Sequence, residues 1–311
     1  MQNQDLSQPR TPRQFLRLFL SGFAMGAADV VPGVSGGTMA FILGVYGTLL
    51  NAIKAFNLTA IRLLLSRKIG GLLQHISFFF LLALGAGIAT AILTLANVLG
   101  NALEQQPTLV YAFFGGLVVA SIIAVSLMLR WSATTFVAMV FGAVFAFWLV
   151  ALPELSDADH SLPILFFSGA VAICAMILPG ISGSFILLIL GQYKFVLDAV
   201  RSLDIVSVAA VGLGAVVGIL AFSRVLSWLL KHYYNVTVAA LVGFMIGSLR
   251  RIWLEAEKGL GQLAQVGAGE VALIIGLFVV GFVLVSFIDN LQSGRNPLFA
   301  VFRRGTREKV A

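Results

Sequence analysis

Charge is what this sequence has least of. Only 11% of its 311 residues are Asp, Glu, Lys or Arg, while 59% are hydrophobic. A water-soluble domain carries about 25% charged residues. So low a content excludes an ordinary soluble domain and fits a chain whose solvent is hydrocarbon, where ionised groups are costly. Cysteine is nearly missing. Cys174 stands alone in an apolar run, which excludes an intrachain disulfide and argues against a thiolate metal site. The three histidines, His75, His160 and His232, lie far apart without metal-ligand spacing, so no metal or other cofactor is expected. No GxxxxGK[ST] phosphate loop occurs, so ATP does not drive the protein directly. No cleavable leader is expected either. Residues 1–14 are polar, with Arg10 and Arg13, and the apolar stretch after them leads into Gly-rich sequence without a cleavage signature. They read as a retained cytoplasmic segment.

What is present is apolar sequence in long runs, with mean hydropathy +1.01. The runs fall at about 15–28, 38–53, 76–100, 108–130, 133–152, 163–178, 184–198, 205–230, 236–253 and 270–289. They are too long for strands, and a spanning segment must satisfy its own backbone polar groups, so all read as helices. The net charge of +7 is assigned to membrane topology, since cytoplasmic loops collect Lys and Arg. Nucleic acid is not expected as a partner.

Four runs are short: 15–28, 38–53, 163–178 and 184–198. At about 1.5 Å per residue each reaches roughly 21–24 Å, less than the roughly 30 Å of a hydrocarbon core. Each short pair flanks a break, VVPGVSGGT (30–38) or LPGISGS (178–184). Pro32, Gly33, Pro179 and Gly180 break the helices, because proline removes a donor and glycine loosens the backbone. The pairs read as re-entrant hairpins at about 15–53 and 163–198; the alternative is two pairs of kinked full spans.

Residues 32–46, PGVSGGTMAFILGVY, and 179–193, PGISGSFILLILGQY, match at an offset of 147. The matched pairs are Pro32/Pro179, Gly33/Gly180, Ser35/Ser182, Gly36/Gly183, Gly44/Gly191 and Tyr46/Tyr193. Weaker matches occur further along, Leu84-Gly85-Ala86 with Leu213-Gly214-Ala215 and GLVVAS (116–121) with GFMIGS (243–248). The predicted fold is therefore an all-α polytopic membrane protein of two repeats, 15–152 and 153–290, with a basic cytoplasmic tail, 291–311. Each repeat is a hairpin plus three spans: 76–100, 108–130 and 133–152, then 205–230, 236–253 and 270–289. Three is odd, so the second copy is inverted, a plan common in secondary transporters. Basic residues agree. Lys54, Arg62, Arg67 and Lys68 fall inside with the tail's Arg295, Arg303, Arg304, Arg307 and Lys309, against Lys194, Arg201, Arg250, Arg251 and Lys258 outside. Both termini are then cytoplasmic.

At each break a half-helix begins near the midplane with unpaired N–H groups and a partial positive charge. Ser35, Gly36, Gly37 and Thr38, with Ser182, Gly183 and Ser184, form a candidate anion site. Capping of the half-helices by Ser35 and Ser182 is the structural alternative. Arg224, inside an apolar span, either pairs with an anionic head group or snorkels to the interface near Lys231. Asp29 either carries a proton or charge, or bonds freed backbone groups. Arg250 and Arg251 are secondary basic contacts or interfacial anchors. Asp289 is expected to be solvated, and 61–68 is either an amphipathic surface helix or a solvated loop.

With PGVSGGT before ILGVY, LPGISGS before ILGQY, and GSLRRIW at 247–253, the sequence resembles the bacterial polyprenyl-phosphate (undecaprenyl-phosphate) translocase family from about residue 15 to 290. The resemblance implies a non-enzymatic lipid flippase of the cytoplasmic membrane. It would return undecaprenyl phosphate from the outer to the inner leaflet and so recycle the carrier for peptidoglycan and other envelope glycans. Ser184 and Phe185 stand where the first copy has Gly37 and Thr38, so the two breaks need not contribute equally. Two other functions stay open: an intramembrane polyprenyl-diphosphate phosphatase, and an ion-coupled small-anion transporter. Against the phosphatase, neither break holds His, Lys or Arg, and Asp29 is the only nearby carboxylate.

Overall fold

Every regular element among the described residues is an α-helix. The computed structural model describes residues 6–31, 34–156, 158–262 and 267–293. Pro32 and Gly33 lie outside them, as does the basic tail beyond residue 293. The first half holds α1 (Pro12–Val30), α2 (Gly36–Ile42), α3 (Tyr46–Lys54), α4 (Leu58–Leu65), α5 (Ile69–His75), α6 (Phe78–Gln105), α7 (Pro107–Ser126) and α8 (Ala133–Val150). The second holds α9 (Leu162–Ile177), α10 (Gly183–Ile189), α11 (Tyr193–Arg201), α12 (Ile205–His232), α13 (Tyr234–Gln262) and α14 (Ala268–Ser293).

Local chemistry sets the ends. Thr11 opens α1 with a reciprocal cap to Gln14, and Pro12 fills the first position, where no donor is needed. Ser132 and Thr135 cap α8 in the same way. Six helices, α6, α7, α8, α12, α13 and α14, are long and apolar enough to cross a membrane. The chain is a multi-pass membrane protein. Its apolar surface faces outward: Phe136, Val137 and Phe141 on α8 and Val279, Val280 and Val283 on α14 are all exposed. Central positions go to α7 and α13, whose spanning windows are 61% and 56% buried.

The runs 38–53 and 184–198 are not single half-helices. Each is two short helices with a sharp bend, 113° between α2 and α3 and 109° between α10 and α11. Gly44 (φ +69°) and Gly191 (φ +66°) turn the chain in the left-handed region, where a side chain would be strained. The closing bonds are equivalent. Gly44 N donates to Phe41 O and Val45 N to Ala40 O, as Gly191 N does to Leu188 O and Gln192 N to Leu187 O. That is the Schellman pattern of a helix stop. The matched Gly and Tyr therefore mark a second corner in each copy. Of the two readings of 61–68, helix holds for its first part, which lies in α4, and a turn leads from there into α5.

Pairing repeats between the halves. Gly22 meets the Leu84 backbone and Gly87 that of Phe19; in the second half Gly169 meets Val211 and Gly214 meets Phe166. Small residues of this kind let membrane helices approach to backbone contact. Because α4 and α5 occur only in the first half, the repeat register falls from 147 in the hairpins to 127 in the spans. The match of Gly85 with Gly214 is thus two residues out of step. Gly87 is the counterpart of Gly214, and Gly85 that of Gly212, which like Gly85 has open space around it. The halves also exchange partners: α8 packs on α13, and α14 on α7. Although they are counterparts, α7 and α13 run antiparallel. Thr108 meets Ala256 through a hydrogen bond of 3.0 Å, while Gly115, two turns later, faces Ile252.

A Cβ at Gly214 would collide with the Phe166 carbonyl. Gly214→Val should lower thermal stability in detergent by about 1–3 kcal/mol, the usual penalty of overpacking. Gly212→Val should unfold at the wild-type temperature. Equal midpoints for the two variants would refute the close-packing role.

Candidate functional site

The two breaks meet. Ser35 Oγ donates to the Leu178 carbonyl at 3.3 Å, and Gly180 N donates to Thr38 Oγ1 at 3.1 Å. From α3, the Tyr46 hydroxyl donates to Ile177 O at 3.0 Å. All three bonds join residues more than 130 positions apart, and each satisfies a backbone group freed where a helix is interrupted. Ser35 and Thr38 are 1% exposed and Ser182 is 6%. Gly37 fits because it has no side chain: a Cβ there would lie 2.8 Å from the Ile177 carbonyl. Gly180, at φ +94°, lies against Met245 and Ser248 of α13.

Ser35, Gly37 and Thr38 are thus brought against residues 176–180, but the chemistry differs between the copies. At the first break the donors of α2 are already used. The Asp29 carboxylate accepts from Gly36 N at 2.7 Å, and Ser35 Oγ accepts from Gly37 N at 3.1 Å. Of the two roles read for Asp29, local backbone bonding is the one formed here. At the second break Ser182 does not cap α10; its hydroxyl bonds that of Ser184 at 2.6 Å. The residue in Asp29's place is Met176, which has no carboxylate to offer. Ser184 is the one member of the constellation at the second break that is half-buried rather than buried.

The arginines divide. Arg224 is exposed, and its Nη2 lies 3.5 Å from the Phe56 carbonyl beyond the end of α3. Beside it Lys54 Nζ donates to Ser227 Oγ at 2.9 Å. Arg250, half-buried, lies over the Phe147 ring, 4.3 Å from its centroid, and donates to the Phe147 carbonyl at 3.1 Å in the last turn of α8. Arg251 turns inward. Its guanidinium lies 4.9 Å from the centroid of Phe185, the third residue of α10, and pairs with Glu255 at 2.6 Å. Both arginines lie inside α13, which continues to Gln262, and not in an outer loop. Asp289 is buried, 5% exposed, and not solvated as expected.

The geometry makes Gly36→Val and Gly183→Val poor probes of ligand approach. A Cβ at Gly36 would strike the Asp29 carboxylate, and one at Gly183 would lie 2.9 Å from the Ala172 carbonyl of α9. Either change disturbs packing first.

Comparison with known proteins gives a consistent result. A family model described as undecaprenyl phosphate translocase-like matches residues 25–269. A "Polyprenyl-phosphate transporter" of Vibrio cholerae is 42% identical over 240 residues, covering 77% of this chain and 78% of that protein. A protein of the same name from Staphylococcus aureus is 31% identical over 284 residues, 85% of this chain and 93% of that one. No solved structure matches the chain.

The contact between the breaks is testable through Thr38. In Thr38→Val the buried Gly180 N–H loses its acceptor, which should destabilise the protein by about 1–3 kcal/mol. Thr38→Ser should retain wild-type stability. Thermal unfolding in detergent measures both, and an unchanged midpoint for the valine variant would refute the contact.

Proposed function

The chain belongs to the undecaprenyl phosphate translocase-like family, and from that premise we propose that it is a flippase for undecaprenyl or another polyprenyl phosphate. It carries the lipid from the outer to the inner leaflet of the bacterial cytoplasmic membrane, recycling the carrier for peptidoglycan and envelope glycan synthesis. The observation that carries this reading is the direct meeting of two equivalent helix breaks inside the bundle. A polyprenyl phosphate needs a polar path for its head group only, because its tail is already soluble in the bilayer. Two interrupted helices at one depth supply oriented donors for such a head group, as in other carriers with discontinuous helices.

In this mechanism the hairpins are re-entrant and the two halves are inverted copies. The antiparallel course of α7 and α13 supports the inversion, and the bends at Gly44 and Gly191 support chains that return to the side they came from. The bonds Ser35–Leu178 and Thr38–Gly180 close the direct route between the leaflets. The head group binds as the hairpins part, exchanging these internal bonds for bonds to its oxygens. Ser35, Gly36, Gly37 and Thr38 face it from one side, and Ser182, Gly183 and Ser184 from the other. Because Ser182 does not cap α10, the second break is the stronger receiver. Asp29 occupies the first break, so an anion gains the Gly36 N–H only once that carboxylate withdraws or takes up a proton. Arg224 of α12, bonded to Phe56 just past the first hairpin, acts as an interfacial anchor.

Two experiments test the reading. Single cysteines at Ser66 and Ser156, in a Cys174→Ser background, should react with impermeant reagents from opposite faces, Ser66 from the cytoplasm. Labelling from one face would refute the inverted arrangement. Purified protein in liposomes should move polyprenyl phosphate between leaflets and release no inorganic phosphate from undecaprenyl diphosphate. Release abolished by Asp29→Ala would favour the phosphatase instead.

A further inference from the structure

A lipid phosphate needs a cation close to its path, and the breaks themselves contain none. α13 supplies one. It passes Gly180 at Met245 and Ser248, and one turn further on Arg251 reaches the first turn of α10 through Phe185. The Arg251 side chain is 20% exposed, and its Nε is buried with no hydrogen-bond partner. Its carboxylate partner is shared: Glu255 Oε1 lies 2.6 Å from Arg251 and 3.0 Å from Lys258. α13 packs on α7, where Tyr111 is buried. Val110, Phe113 and Phe114, its neighbours on α7, line an apolar cleft of about 440 Å³ that Ala27, Leu95 and Leu99 complete.

We propose that Arg251 is the head-group receptor beside the second break, with Glu255 as the internal anion that the lipid phosphate displaces. The inference rests on the polyprenyl-phosphate reading and assigns the cation of that site. A guanidinium with an unused donor takes a phosphate through paired charge-assisted bonds. The displaced carboxylate does not become an isolated charge, because Lys258 already holds the same oxygen at the exposed end of the network. When the phosphate departs, Glu255 returns to Arg251. Release is therefore an exchange of anions and leaves no buried cation unpaired, which would be strongly unfavourable. The cleft along α7 receives the first isoprenoid units of the tail.

The test is binding of undecaprenyl phosphate to purified, detergent-solubilised variants, read by native mass spectrometry and by the rise in unfolding temperature that the lipid produces. Arg251→Gln should weaken binding by roughly tenfold or more, since it removes a charge-assisted bidentate contact. Glu255→Gln should tighten binding and enlarge the lipid-induced rise, because the competing carboxylate is gone. Should Arg251→Gln fail to fold, Arg251→Gln/Glu255→Gln removes both charges and should fold yet bind as weakly as expected for Arg251→Gln. Wild-type affinity in either arginine variant would overturn the assignment while leaving the transport reading intact. Weakening by Glu255→Gln as large as that by Arg251→Gln would make the pair a structural ion bridge and overturn the exchange. Failure of the wild-type protein to bind the lipid would remove the transport reading itself.

Discussion

The architecture depends on one constraint: backbone groups freed inside a bilayer must find partners within the protein, because no water is there to serve them. Interrupting two helices exposes donors and carbonyls at both tips. The chain answers by placing the tips against each other, so that Thr38 takes the Gly180 N–H while Ser35 and Tyr46 donate to Leu178 and Ile177. Neither hairpin is satisfied alone. The glycine contacts that seat α1 on α6 and α9 on α12 hold the hairpins where this mutual pairing is possible, and α7 and α13 fill the space between the halves.

Much of this is legible in the sequence because the interruption has a chemical signature. Pro-Gly-x-Ser-Gly marks the break, and its recurrence at a fixed offset marks the repeat. The second corner at Gly44 and Gly191 is harder to see, since apolar residues run straight through ILGVY and ILGQY and conceal the turn. The register in the spans is ambiguous for a different reason. Glycines two apart at 85 and 87 and at 212 and 214 allow two alignments, and only the contact with the opposing backbone selects one.

The inward position of Arg251 is hidden by hydropathy. An apolar window ends near Trp253, so the charges after Met245 read as interfacial. The helix nevertheless continues through Glu255 and Lys258, because these charges neutralise one another along one face of α13 and need less solvent. Asp289 misleads in the same manner: a carboxylate near a helix end reads as solvated, yet it lies buried. Patterns of apolar residues locate spans well and locate charge poorly, since pairing between side chains leaves no periodic trace.

The unequal capping of α2 and α10 has a thermodynamic meaning. In a carrier made of two identical inverted halves, the inward-open and outward-open forms would be related by a two-fold axis and equal in energy, and the protein would wait on either side alike. A carboxylate in one copy where the other has Met176 removes that degeneracy. It cannot pump, because a fixed feature of the protein changes both directions of a cycle by the same factor. Under the proposed mechanism it acts instead on the resting posture, and hence on which leaflet such a carrier samples first when lipid is scarce. In that mechanism direction over many cycles belongs to the membrane, through the gradient of the lipid itself.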